Sequence, residues 1–257
     1  MAVIAWRNAA EVAGVSLSAT SEASGLGVQS LLTPTIGEVW RSNTGGAVTH
    51  AVGIDFGAQV PLRFFAAGAP RDGVLPGTGA AWRVRLSNVA PGNSEILNQG
   101  GMSLDLRRGV VGLLLPAALS ARYVNILFSG VAGDPYLQLG RIWAGDVLVT
   151  TRAVGYGWGR GFGDAGTVER APASGVLNAQ RGAVYRSLNF DLPTLTPANA
   201  LMLDEVALAL GTTGQGFVSP LNDDLRHGMF GRFTAPPAPA QPNLRVFKAQ
   251  ITFQEDL

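Results

Sequence analysis

Two histidines, His50 and His227, are the only imidazoles in 257 residues, and cysteine is absent. That removes thiolate nucleophiles, disulfides and thiolate metal sites. Asp223, Asp224 and His227 form one cluster with ligand chemistry, but no second ligand group accompanies it, so no metal is expected. Neither the G-x-S-x-G nucleophile elbow nor H-E-x-x-H occurs. Asp55, Asp105, Asp134 and Asp146 are scattered. A glycosidase pair could meet only in space, and nothing in the sequence supports one. The glycine run Gly155-Tyr156-Gly157-Trp158-Gly159-Arg160-Gly161-Phe162-Gly163 lacks the G-x-G-x-x-G spacing of a phosphate loop. Extended, it would place Tyr156, Trp158, Arg160 and Phe162 on one face and bare backbone on the other. These four are the candidate protein-interface residues. The expectation is a non-enzyme with no catalytic residue and no cofactor.

The elements that must position these residues are strands. Thirty-four glycines and fifteen prolines divide the chain into short apolar pieces, which argues for many strands and turns. From Val48 to Phe56 apolar residues recur at period two, with His50 among them as a core histidine. Pro61–Phe65 reads as a further strand. Trp82, Val84 and Leu86 alternate with Arg83, Arg85 and Ser87, a strand with one wet face. Ala121–Phe128 and Tyr136–Asp146 read as a hairpin about the turn Gly130–Pro135, with Gly140 breaking the second strand. After a strand at Ala183–Leu192, Thr196 suits an N-cap, Pro197 the first helical position and Gly211 the residue past the end. Leu203, Val206, Ala207 and Leu210 give that helix its apolar stripe.

Charged residues make up only 14% of the chain, and 19 basic residues nearly balance 18 acidic ones. The balance argues against nucleic acid as a partner. The low charge leaves much neutral surface, which suits a subunit covered by neighbours. No apolar run is long enough for a membrane helix, and the N-terminus lacks the pattern of a signal peptide. The expectation is a product made in the cytoplasm, with no membrane association.

Several segments together resemble the discoidin-type, galactose-binding-like β-sandwich family. They are Ala23-Ser24, Val39-Trp40-Arg41-Ser42, Ile54-Asp55-Phe56-Gly57, Arg83–Ser87, Arg122-Tyr123-Val124 and Leu137–Ile142. The family's frequent cysteine pair is missing. The resemblance implies a mainly β chain: a discoidin-like jelly-roll β-sandwich over 1–147 and a smaller α+β assembly domain with one helix over 148–257. It also implies glycan-binding loops at one end of the sandwich, with Asn43, Arg71, Asp72, Asn88 and Asn93 as candidates. The order of sandwich, Tyr-Gly-Trp segment, strand, helix and strands is similar to tail-tip and baseplate proteins of long-tailed bacteriophages. That likeness implies a structural virion protein made in the host cytoplasm. It would form a ring-like homo-oligomer and join tube, hub and fibres through other tail proteins. The alternative is a carbohydrate-binding module used in adsorption to host glycan.

Overall fold

The computed structural model describes residues 1–70, 72–89, 95–170 and 175–256. Among these residues the fold is mainly antiparallel β with one α-helix, as the sequence implies. The chain divides into two units. One comprises Ala2–Val149 and Gly216–Phe230; the other comprises Thr150–Gln215 and Gly231–Leu257, with Met1.

The first unit runs β1 (Val3–Ala5), β2 (Ser16–Ala19), β3 (Trp40–Arg41), β4 (Thr49–Gly68), β5 (Ala81–Ser87), β6 (Glu95–Ser103), β7 (Val110–Ser129), β8 (Gln138–Leu139), β9 (Arg141–Gly145) and β10 (Leu148–Val149). Its main sheet has the order β2-β4-β7-β5-β6, and β9 pairs with β4. The period-two pattern buries His50, Val52, Ile54 and Phe56, while Val48 stays exposed. Pro61–Phe65 is not a separate strand: β4 continues through register shifts after Asp55 and Leu62. Pro116 of β7 lies in the gap between Leu114 and Leu119, where no pairing asks for its missing N–H.

The expected hairpin between Ala121–Phe128 and Tyr136–Asp146 does not form. β7 pairs with β4 and β5, and β9 pairs with the other edge of β4. Gly140 does mark a close approach, since a side chain there would strike the Ile36 carbonyl. Asn8 pins the N-terminal segment to β9: its Nδ2 donates to the Ile142 carbonyl at 3.0 Å and its Oδ1 accepts from Ala144 N at 3.1 Å.

The second unit holds β11 (Gly159–Asp164), β12 (Thr167–Arg170), β13 (Leu177–Gln180), β14 (Val184–Leu195) and the helix α1 (Pro197–Leu210). Thr196 caps α1 by accepting from Asn199 N at 3.2 Å, and Gly211 ends it at φ 52°. Leu203, Val206 and Leu210 are buried, and α1 packs on β14. The chain then returns to the first unit with β15 (Gly216–Ser219). The boundary falls inside β16 (Met229–Phe233), and β17 (Ala240–Asn243) and β18 (Val246–Glu255) complete the second unit.

That return departs from the expected boundary at 147/148. The first break lies at Val149/Thr150, and residues 216–230 group with the sandwich. The physical reason is aromatic. The second half of β4 is buried on both faces. Phe65 and Ala67 belong to the sandwich core, whereas Phe64 and Ala66 pack with Trp143, Phe217 and Phe230. The Phe64 and Phe217 rings lie 4.8 Å apart, and Phe217 and Phe230 lie 5.4 Å apart. Burying each Phe is worth about 1.5–3 kcal/mol, so the detour supplies a second core for β4 that the N-terminal segment alone lacks.

Candidate functional site

At one end of the sandwich three loops are tied at a single residue, Asp134, through its carboxylate and its backbone carbonyl. Asp134 Oδ1 accepts from Gly77 N at 2.9 Å and Oδ2 from Val131 N at 2.9 Å. The Asp134 carbonyl accepts from Gly46 N at 2.7 Å. Gly45 and Gly130 let these loops touch backbone to backbone; a side chain at Gly45 would strike the Asp134 and Pro135 carbonyls. Asp134 reads in sequence as a turn former before Pro135. Its place between three loops is set by tertiary pairing that no local pattern reveals.

Beside this knot lies a polar shelf. The Arg41 guanidinium sits 4.1 Å above the Tyr136 ring and donates to Gln138 Oε1 at 3.0 Å. Ser42 Oγ donates to the Thr44 carbonyl and accepts from Leu137 N. Beneath it, His50 is buried edge-on to Trp40, with ring centroids 6.4 Å apart. Burial pushes the His50 imidazole below its ordinary pKa, and a hydrogen bond with the Thr44 backbone offsets part of that. Arg41 and Tyr136 are both half-buried. A planar cation fixed on an aromatic ring presents donors and a flat face, which is recognition chemistry.

Of the described glycan-loop candidates, Asn43 and Asp72 share this end and Asn88 does not. Asn43 lies in the first of the three loops, where its side chain accepts from Ser21 Oγ. Asp72 is exposed in the second. Asn88 lies at the far end, accepting from Arg122 N at 3.1 Å. Geometry requires this: the loop through Asp72 enters β5 at Ala81 and the loop with Asn88 leaves it at Ser87, about 20 Å away at strand rise. Arg71 and Asn93 lie outside the described residues.

The interface candidates lie in the second unit. Tyr156 is fully exposed in a turn with Gly157 at φ 89°. Trp158 is half-buried just before β11. Arg160 and Phe162 share one face of β11, opposite Leu188 and Arg186 of β14; Arg160 is half-buried and Phe162 is 69% exposed. The glycine face is not bare. Tyr185 and Ser187 of β14 cover Gly163 and Gly161. Past β11, among the described residues β12 and β13 pair only with each other, and every residue of both strands is exposed. Val168, Val176 and Leu177 on or beside this ribbon are more than half exposed.

Among the described residues no group of three His, Asp or Glu side chains converges as metal ligands, and no helix is long and apolar enough to cross a membrane.

No family model matches the chain, and neither does any curated protein. Solved structures similar to part of it include CpGH89CBM32-6 of Clostridium perfringens, at 14% identity and TM-score 0.42, covering 54% of this chain and 98% of that one. A chitosan-binding module of a chitosanase/glucanase from Paenibacillus sp. IK-5 is similar at 15% identity and TM-score 0.42, over 55% of this chain and 99% of that one. The family 32 carbohydrate-binding module of Clostridium perfringens NanJ, solved with galactose, is similar at 14% identity and TM-score 0.42, over 56% and 98%. Each likeness covers about half of this chain.

Proposed function

We propose that this chain is a structural assembly protein that acts through protein–protein contact, and that its place is the tail tip or baseplate of a long-tailed bacteriophage. The location rests on the sequence resemblance alone. The assembly role rests on one observation, the β12–β13 ribbon. A two-stranded ribbon with no covered face is marginal in water. This one exposes Val168, Val176 and Leu177 on the same unit as exposed Tyr156 and Phe162. Burial of that surface against a neighbour would supply the missing face and drive assembly. Light scattering of the purified chain over a range of concentrations tests self-assembly. A discrete oligomer, or mass rising with concentration, is expected; a monomer at every concentration overturns a ring of copies.

A second reading is saccharide binding by the sandwich. Its supporting observation is the Arg41–Tyr136 shelf beside the three tied loops. The similar modules include one named as chitosan-binding and one solved with galactose. A glycan array would support this reading through a signal that Arg41→Ala removes, and a blank array would sink it.

A further inference from the structure

Among the described residues β11 is the last strand of its sheet, with β14 on one side and no strand on the other. Its register against β14 is unbroken from Gly159 to Asp164. Just past the strand, Ala165 N donates to the Ala183 carbonyl at 3.0 Å. Antiparallel pairing alternates, so Gly163, Gly161 and Gly159 are the residues that exchange hydrogen bonds with β14. The backbone N–H and C=O groups of Arg160, Phe162 and Asp164 therefore point outward, along the outer edge. Sheet edges are commonly guarded by lysine, proline or a bulge. β11 carries neither residue and shows no register shift.

The side chains along this edge are self-complementary. When a second β11 lies antiparallel and is centred on Phe162, Arg160 of each copy stands opposite Asp164 of the other, and Phe162 stands opposite Phe162. These are the residues whose backbone groups face outward, so each pair can exchange both of its hydrogen bonds. Opposite charges and aromatic rings facing across a strand pair both favour it. A slide of two residues separates the charges. A slide of four sets Arg160 against Arg160 or Asp164 against Asp164. The charges thus select one register, which a glycine-rich strand otherwise specifies weakly. Phe162 is 69% exposed, and the exposed Asp164 is steadied by Gly166 N, which donates to its Oδ1 at 2.7 Å. On the other face of the seam Gly161 meets Gly163, and no side chain crosses. Tyr185 and Ser187, which lie over Gly163 and Gly161, keep their places.

We propose that two copies of this chain join edge to edge through β11, in a two-fold antiparallel pair centred on Phe162. Backbone hydrogen bonds supply the attraction, and the Arg160–Asp164 pairs at the two ends set the register. This deepens the assembly reading and rests on it for self-association, to which it adds the contact and its symmetry. A two-fold pair closes on itself, so a ring of copies needs a second contact, which the β12–β13 ribbon can supply.

The test reverses the charges in the full chain. Arg160→Asp alone, or Asp164→Arg alone, sets like charges against each other at both ends of the seam. Each should raise the dimer dissociation constant about tenfold or more. Mixed in equal amounts, the two variants should pair as tightly as the native chain, because every charge then meets its complement. Native mass spectrometry with one variant isotope-labelled reads the mixed dimer directly. A mixture no tighter than either variant alone overturns the register. Phe162→Cys adds a measurement that spares the charges, since the chain has no other cysteine. Copper phenanthroline should link two copies through it. Gly159→Cys should stay unlinked, because its two copies would lie about 20 Å apart at strand rise, beyond disulfide reach. No link at 162, or equal linking at both sites, overturns the pairing. An oligomer that the charge variants leave intact sinks the β11 seam and spares the assembly reading. A dimer that they dissolve, and that never grows further, supports the seam and sinks a ring of copies.

Discussion

Tyr185 stands directly opposite Gly163 in the β11–β14 pair, and its ring fills the space a side chain at 163 would need. Two pairs along, Ser187 Oγ lies 2.6 Å from where a β-carbon of Gly161 would sit. The glycine alternation is thus matched from within the unit: β14 supplies the cover for its own edge strand, as aromatic neighbours do for edge glycines. Gly163→Val should displace Tyr185 and cost about 1–3 kcal/mol by overpacking. Gly159→Ala is the control, because nothing lies within 4 Å of its would-be β-carbon. Urea unfolding of both variants checks this, and equal midpoints would contradict it.

Arg186 and Glu255 form an ion pair with both side chains more than nine-tenths buried. Glu255 Oε2 also accepts from Arg186 N at 3.0 Å, so one carboxylate joins β14 to the end of β18. Glu255→Gln leaves a guanidinium buried without its counter-charge and should cost about 3–5 kcal/mol. The double change Arg186→Met with Glu255→Leu should recover most of that, because two apolar side chains escape the desolvation of two charges. Chemical denaturation of the three variants gives the comparison. A double variant as weak as the single one would mean that the pair specifies the fold.

Local features of the fold were legible in the sequence, and long-range ones were not. The helix from Pro197 to Gly211 announces itself through its cap, its proline and its stripe. The alternation at Trp82, Val84 and Leu86 places β5 correctly. The partner of Ala121–Phe128 was misread because a short turn favours neighbours in sequence, while β4 offers twenty residues to pair on two edges. The return of 216–230 to the first unit depends on Phe64 having an unfilled face, which no window around residue 64 contains. At the candidate site, Asn43 and Asp72 lie on loops at the same end as Asp134. Asn88 could have been assigned to the other end from strand direction alone.

His50 supplies a pH dependence whose sign follows from its burial. Its folded-state pKa lies below the ordinary 6.5 because burial disfavours the cation. The unfolded chain takes up a proton below that value before the folded chain does. The contribution of His50 is therefore complete above pH 6.5 and declines as pH falls through 6.5 toward the lower folded value, by at most about 1.4 kcal/mol per pH unit. Unfolding free energies of the native chain and His50→Gln between about pH 7.5 and 5, the range over which histidine titrates, should converge as pH falls. Parallel curves would show that His50 does not titrate differently on folding.

Asp105 gives the opposite case. Arg107 holds its carboxyl at about 2 against an ordinary 3.8. The stabilisation it brings is present above 3.8 and is lost as pH falls toward 2. Carboxyl-carbon NMR should place the midpoint near 2 in the native chain, and Arg107→Gln should return it toward the ordinary range. An unmoved midpoint would mean that the Arg107 pair is broken in solution.

The ribbon of β12 and β13 separates folding from assembly. Val168, Val176 and Leu177 are exposed, so removing their apolar surface takes nothing from a core. Replacing all three with Thr, which keeps strand propensity, should leave unfolding stability within about 0.5 kcal/mol per site. If the ribbon is contact surface, the same variant should lose the oligomer seen by light scattering, because the apolar area that a neighbour covers is gone. Tyr156→Ser with Phe162→Ser should act in the same direction from the same unit. Loss of mass with retained stability is the expected pair of results. Retained mass would place the contact elsewhere on the chain, and lost stability would mean that the ribbon is already packed within its own unit.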